Sequence, residues 1–192
     1  MRSARRPALL LLALIGAACE RTGLPDPSSA EYAETVRAFH TGVAAVQVGE
    51  SGVAEASFRR VTERAPGEPA GWADLGLVAL LRNQPDTAAQ RLREAQSLAP
   101  DHPRIRVLAA LVARERGELD AAADQLRRAV ELDPADLKAV YLLAHVVEQQ
   151  DRPGSVVEAR QLIDGILATR PGNLQALLER ARLAAKGGDR GV

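Results

Sequence analysis

The chain has 192 residues, 46% of them hydrophobic and 26% charged, with 25 basic and 25 acidic residues and no formal net charge. That composition supplies an ordinary globular core. No basic stripe interleaved with stacking aromatics occurs, which sets nucleic-acid binding aside, and a single cysteine can form neither an internal disulfide nor a zinc site.

In chain order, residues 1–18 come first. A basic start, Met1-Arg2-Ser3-Ala4-Arg5-Arg6, leads into an uninterrupted small and apolar run from Ala8 to Ala18. The run is shorter than the roughly 20 residues of a membrane-spanning helix and has the form of a secretory signal peptide. Ile15-Gly16-Ala17-Ala18-Cys19 resembles the lipobox of bacterial lipoproteins, although Gly16 stands where a leucine-like residue is preferred. The resemblance implies lipidation of Cys19 and a chain held at the membrane through its N-terminal lipid, on the periplasmic side of the cell envelope. Glu20 is not the aspartate that retains enteric lipoproteins in the inner membrane, which favours the outer membrane. Cleavage after Ala18 without modification, leaving a periplasmic or secreted protein, is the alternative; an uncleaved anchor is another. A chain starting at Cys19 keeps 22 basic and 25 acidic residues. Residues 19–30 then form the tether: Gly23, Pro25 and Pro27 exclude regular structure, and Ser28 or Ser29 can cap a first helix. Such a stretch reaches about 20 Å.

From residue 31 the sequence follows a beat. Pro66, Pro100 and Pro134 are 34 residues apart, twice in succession. Gly42, Gly76 and Ala110 share one position, Ala54, Ala88 and Ala122 another, Phe58, Leu92 and Leu126 a third, and Val61, Ala95 and Ala129 a fourth. Gly49 and Gly117 share a further position, at which Asn83 is the exception. A period of this size marks a stacked helical array in which each unit is one helical hairpin. The units run 35–68, 69–102, 103–136 and 137–173, followed by a closing helix over 174–187 and a tail at 189–192. The fourth unit is three residues longer, because Pro171 lies 37 after Pro134; the excess falls at Asp151–Ser155, where a turn absorbs it. Small residues at the first two positions let paired helices approach, and the large residues fill the space between them. The prolines end the second helices, and Gly187-Gly188 is read as the stop of the last. No segment alternates like a strand, so the fold class is all-α.

Trp72, Leu75-Gly76, Ala88, Leu92, Ala95 and Pro100 stand at the signature offsets of the tetratricopeptide repeat family, which the chain resembles over roughly residues 35–188. The resemblance implies a right-handed solenoid of about four helix-turn-helix repeats with a capping helix, whose first helices line a concave groove that binds a protein or peptide partner. Carried over, the inward positions are Val36, Phe39, Val43 and Val46; Ala70, Ala73, Leu77 and Leu80; Arg104, Val107, Leu111 and Arg114; Lys138, Tyr141, His145 and Glu148; and Gln175, Leu178 and Arg182. The groove is thus expected to be apolar at its start and polar and basic at its end, suiting a peptide with apolar side chains on the early units and acidic groups near Arg104, Lys138 and Arg182. The alternative is that Val43, Leu77 and Leu111 simply pack against neighbouring helices. The family's carboxylate clamp for chaperone tails expects polar amides where Val43 and Leu77 stand.

An enzyme is the competing class. His40, His102 and His145 fall in different units, and neither a Cys–His pair, a phosphate-binding glycine loop nor a serine elbow occurs; no catalytic residue, cofactor or metal is expected. Phe39–Gly49 together with Pro69–Leu77 is also similar to the N-terminal repeat arrays of exported bacterial proteins that continue into an FG-GAP propeller and an ASPIC/UnbV tail. That resemblance implies a repeat module standing alone or cut from a longer protein.

Overall fold

The computed structural model describes residues 24–188; the expected signal peptide and lipobox, with Cys19, lie outside the described residues. Among those residues there are nine helices and no strand: α1 (Ala30–Gln47), α2 (Ser51–Arg64), α3 (Pro69–Leu81), α4 (Pro85–Leu98), α5 (Pro103–Glu115), α6 (Leu119–Leu132), α7 (Leu137–Gln149), α8 (Ser155–Thr169) and α9 (Leu174–Gly188). They pair as α1–α2, α3–α4, α5–α6 and α7–α8. Each second helix also packs on the next unit's first helix, ending with α8 on α9. α3 touches α5 as well, which places the first helices on the inner side of the curve.

Each hairpin closes by setting something large against something small. A Cβ added to Gly42 would lie 2.7 Å from Phe58 Cε1, and one added to Gly76 would lie 2.7 Å from Leu92 Cγ. Either position would have to open to take even alanine. Ala54, Ala88, Ala122 and Ala159 are fully buried, as are Phe58, Leu92, Leu126 and Ile163. The core is three clusters strung along the array, all within residues 24–188, as expected when each unit contacts only its neighbours.

The turns inside the hairpins repeat as well. Gly49 and Gly117 adopt positive φ (81° and 76°), and Asn83 does the same at 57°. The break in the sequence pattern at Asn83 is therefore no break in conformation, because asparagine tolerates the left-handed region. In all three turns the following N–H reaches back to the fifth residue before it (Glu50 to Ala45, Gln84 to Ala79, Glu118 to Ala113, each 2.9 Å), closing a Schellman motif. The fourth turn carries the extra residues. Asp151 takes the left-handed conformation at φ 46° and Gly154 at φ 90°, and the Arg152 N–H donates to Ser155 Oγ instead (3.3 Å).

The ends of the array hold smaller differences. Ser29 caps α1, its hydroxyl oxygen accepting from the Tyr32 N–H at 3.0 Å. The last helix, expected over 174–187 with Gly187-Gly188 as its stop, spans Leu174–Gly188, where the described residues end. Glycine inside a helix costs only about 1 kcal/mol, and Lys186 fastens this last turn to Glu148 on α7 at 2.9 Å.

Candidate functional site

The groove is built by the inner faces of α1, α3, α5, α7 and α9. At its start, Phe39 and Val43 on α1 are half-buried; the Phe39 ring meets Phe58 edge-on with centroids 5.8 Å apart. Leu77 on α3 and Leu111 on α5 continue the row, also half-buried. Each packs against a core cluster and stays partly exposed. An apolar cleft of about 400 Å³ opens here, lined among others by Leu24, Tyr32, Val36, Phe39 and Ala70.

At the other end the side chains are polar and largely engaged with one another. Glu148 is only 6% exposed, which corrects its assignment as a groove-facing residue. Its carboxylate accepts from Arg182 at 2.8 and 2.5 Å and from Lys186 at 2.9 Å. These bonds, Arg182 foremost, hold its pKa down to about 2 against the opposing effect of burial. Glu148, with Glu179 at 2.9 Å, in turn raises Arg182 above the usual arginine range. His145 is exposed, with Nδ1 3.9 Å from Glu148. Tyr141 is half-buried and donates its hydroxyl to Asn173 Oδ1 at 3.0 Å, the same oxygen that accepts the Ala176 N–H in the first turn of α9. A cleft of about 280 Å³ lies between Tyr141, His145, Gln175 and Arg182.

Arg104 is also committed. It donates to Asp74 Oδ1 at 2.5 Å, and Asp74 is 2% exposed with its second oxygen unpartnered. Here burial dominates and pushes the carboxyl pKa up, with Arg104 pulling the other way. Ala73, placed at an inward position by the repeat frame, is buried between helices. Lys138 is exposed and forms no ion pair among the described residues. Of the three cations expected to receive acidic groups, two are therefore already answered by carboxylates of the fold itself.

Asp74 and Lys186 were not singled out by sequence reasoning, and Glu148 was singled out only as a groove position, not as the acceptor of Arg182. The available signal was spacing: Asp74–Arg104 and Glu148–Arg182 are 30 and 34 residues apart, close to one period. Catalytic geometry is a separate question. His40 lies on α1, His102 precedes α5 and His145 lies on α7. Among the described residues no three His, Cys, Asp or Glu side chains are grouped as a metal site, and no helix is long and apolar enough to cross a membrane.

Comparison with known proteins gives a consistent result. The family model described as Tetratricopeptide repeat matches residues 41–103, 74–136 and 107–173. A search of curated proteins returned no match. Among solved structures, PilF of Pseudomonas aeruginosa superposes with a TM-score of 0.73 at 19% identity, covering 84% of this chain and 72% of that one. MamA gives 0.66 at 19% identity, covering 81% and 83%. YrrB, described as a repeat protein with an unusual peptide-binding site, gives 0.64 at 18% identity, covering 83% and 81%. At these identities the likeness is one of fold.

Proposed function

The chain belongs to the tetratricopeptide repeat family, a family of protein–protein interaction scaffolds, and on that premise we propose that it is an exported, membrane-anchored scaffold of an envelope assembly. It holds an extended or helical peptide segment of a partner protein in its concave groove. The observation that carries this reading is the apolar cleft at the start of the groove, together with the half-exposed Leu77 on α3 and Leu111 on α5. Apolar surface left half-open on a rigid scaffold gains free energy when a partner's side chains cover it, about 25 cal/mol per Å². The peptide-binding site reported for YrrB is in keeping with that use of the fold.

The polar end serves orientation rather than affinity. With Arg104 and Arg182 engaged by Asp74 and Glu148, Lys138 is the cation left to meet an acidic group. The array is non-catalytic in this reading. Anchoring follows from the basic start, the apolar run and Cys19: a lipid of several chains gives stable attachment where a single short chain is marginal.

Affinity capture from membranes tests the groove. A Leu77→Asp, Leu111→Asp double variant is expected to lose a partner that the wild-type chain retains; retention of the partner would refute the assignment. Membrane fractionation tests the anchor separately, Cys19→Ser moving the chain to the soluble fraction. An unchanged distribution would remove the anchor without touching the groove.

A further inference from the structure

One side of the first hairpin departs from the repeat. Where α1 has Arg37, the later first helices have Gly71, Ile105 and Ala139, all buried. Where α1 has Thr41, they have Leu75, Ala109 and Leu143. In the second unit this is the side that meets the helix before it: a Cβ on Gly71 would lie 2.9 Å from Val61 Cγ1 of α2. Arg37 and Thr41 are exposed, and a charge and a hydroxyl would be costly to bury in such a joint. The side is therefore made for polar contact and not as one more joint between repeats.

A cleft of about 230 Å³ opens on it, walled by Glu34, Arg37 and Thr41 of α1 and by Ser57, Arg60 and Arg64 of α2. Three guanidinium groups there meet one carboxylate. Arg64 donates to Glu34 at 2.7 Å, whereas Arg37 and Arg60 form no ion pair among the described residues. Ser57 is only 4% exposed. Its hydroxyl has no hydrogen-bond partner among the described residues, although Thr62, further along α2, spends its own on the Arg59 carbonyl at 2.9 Å. Two unanswered arginines, a third held in place and a buried hydroxyl to spare suit an anion with several acceptor oxygens. Phosphate is such an anion: planar guanidinium groups take its oxygens in pairs, and the serine hydroxyl can donate to another. We propose that this cleft holds the phosphate of an anionic lipid headgroup and so fixes the first hairpin, and with it the direction of the groove, against the membrane surface. The lipid as source rests on the membrane anchor proposed for Cys19. A chain fixed there and entering α1 at Ala30 keeps this hairpin within about 20 Å of the bilayer. At that reach even a weak contact is populated, because the tether replaces free diffusion by a high local concentration.

Co-sedimentation of residues 24–192 with vesicles tests the cleft independently of the anchor, since this stretch contains every core cluster of the array and lacks Cys19. The wild type should partition onto phosphatidylglycerol vesicles in preference to phosphatidylcholine vesicles, whose phosphate is paired with its own choline. Equal or absent partitioning on the two lipids would overturn the proposal. Arg37→Gln combined with Arg60→Gln should lower partitioning about 30-fold, and Ser57→Ala about fivefold. Arg93→Gln combined with Arg160→Gln removes the same charge from exposed sites on α4 and α8 and should bind as wild type. An equal loss in both double variants, or no loss in Ser57→Ala, would reduce the effect to general charge attraction and overturn the site. The source of the phosphate is read from guanidinium NMR signals titrated with inorganic phosphate, which should shift at Arg37 and Arg60. Those shifts without a preference for the anionic vesicles would assign the cleft to a free phosphate and overturn the lipid. Failure of Cys19→Ser to move the full chain from the membrane would, by contrast, remove the anchor and leave the vesicle result standing.

Discussion

The two ends of the groove solve the problem of joining repeats with opposite chemistry. At the first end Phe39 stacks edge-on against Phe58, and Gly42 makes room for the ring; the contact is apolar and part of it stays open to solvent. At the last end Glu148 is buried and takes hydrogen bonds from two cations of α9; the groups are charged, and their charge is spent within the molecule. The difference teaches where recognition energy can come from. A partner gains by covering the apolar end, whereas at the polar end it would have to compete with bonds already made.

The comparison can be broken most severely at the apolar end. Phe58→Ala leaves a cavity beside Gly42 and should cost about 3–5 kcal/mol by denaturant unfolding, with loss of amide protection starting in α1 and α2. The polar end should yield less. In Glu148→Ala two cations lose a buried acceptor, but both are nearly half exposed, so breaking this pair should cost about 2 kcal/mol. That loss should appear as faster hydrogen exchange in α9 while α1–α4 are unchanged.

Acid distinguishes the two ends without mutation. The pKa of Glu148 is lowered to about 2 from 4.5. Its contribution is therefore complete above pH 4.5 and is lost as pH falls towards 2. Over that window the wild type should lose stability relative to Glu148→Gln, and α9 should lose protection first. Asp74 has the opposite sign: its pKa is raised, so protonation on acidification favours the fold there. Asp74→Asn should consequently cost less than about 1 kcal/mol at neutral pH, well below the change at Glu148; equal costs would erase the distinction. Smallest of all, Arg128→Ala removes exposed ion pairs with Asp101 and Glu131 and should leave the denaturant midpoint unchanged.

Much of this was legible in the chain itself. The prolines mark the ends of the second helices, the glycine–aromatic and glycine–leucine pairs predict the hairpin contacts, and the extra residues of the fourth unit fall in the turn where they were expected. Asn83 was less legible, because its letter departs from glycine while its conformation does not. The engaged cations were the least visible. Position in a repeat says which face Arg104 and Arg182 occupy, but not whether a carboxylate one period away can reach them. That depends on the rise between units and on rotamers, which a one-dimensional pattern does not contain. The same gap explains Glu148, read as groove-facing from its frame and buried by its two partners.

The most direct test of the groove is site-specific photo-crosslinking in membranes, with a photoreactive side chain at Leu77 or Leu111 and, for comparison, at Leu98, which is exposed on α4. A partner captured from 77 and 111 but not from 98 is the predicted result. Capture from 98 with none from the two groove positions would contradict the account.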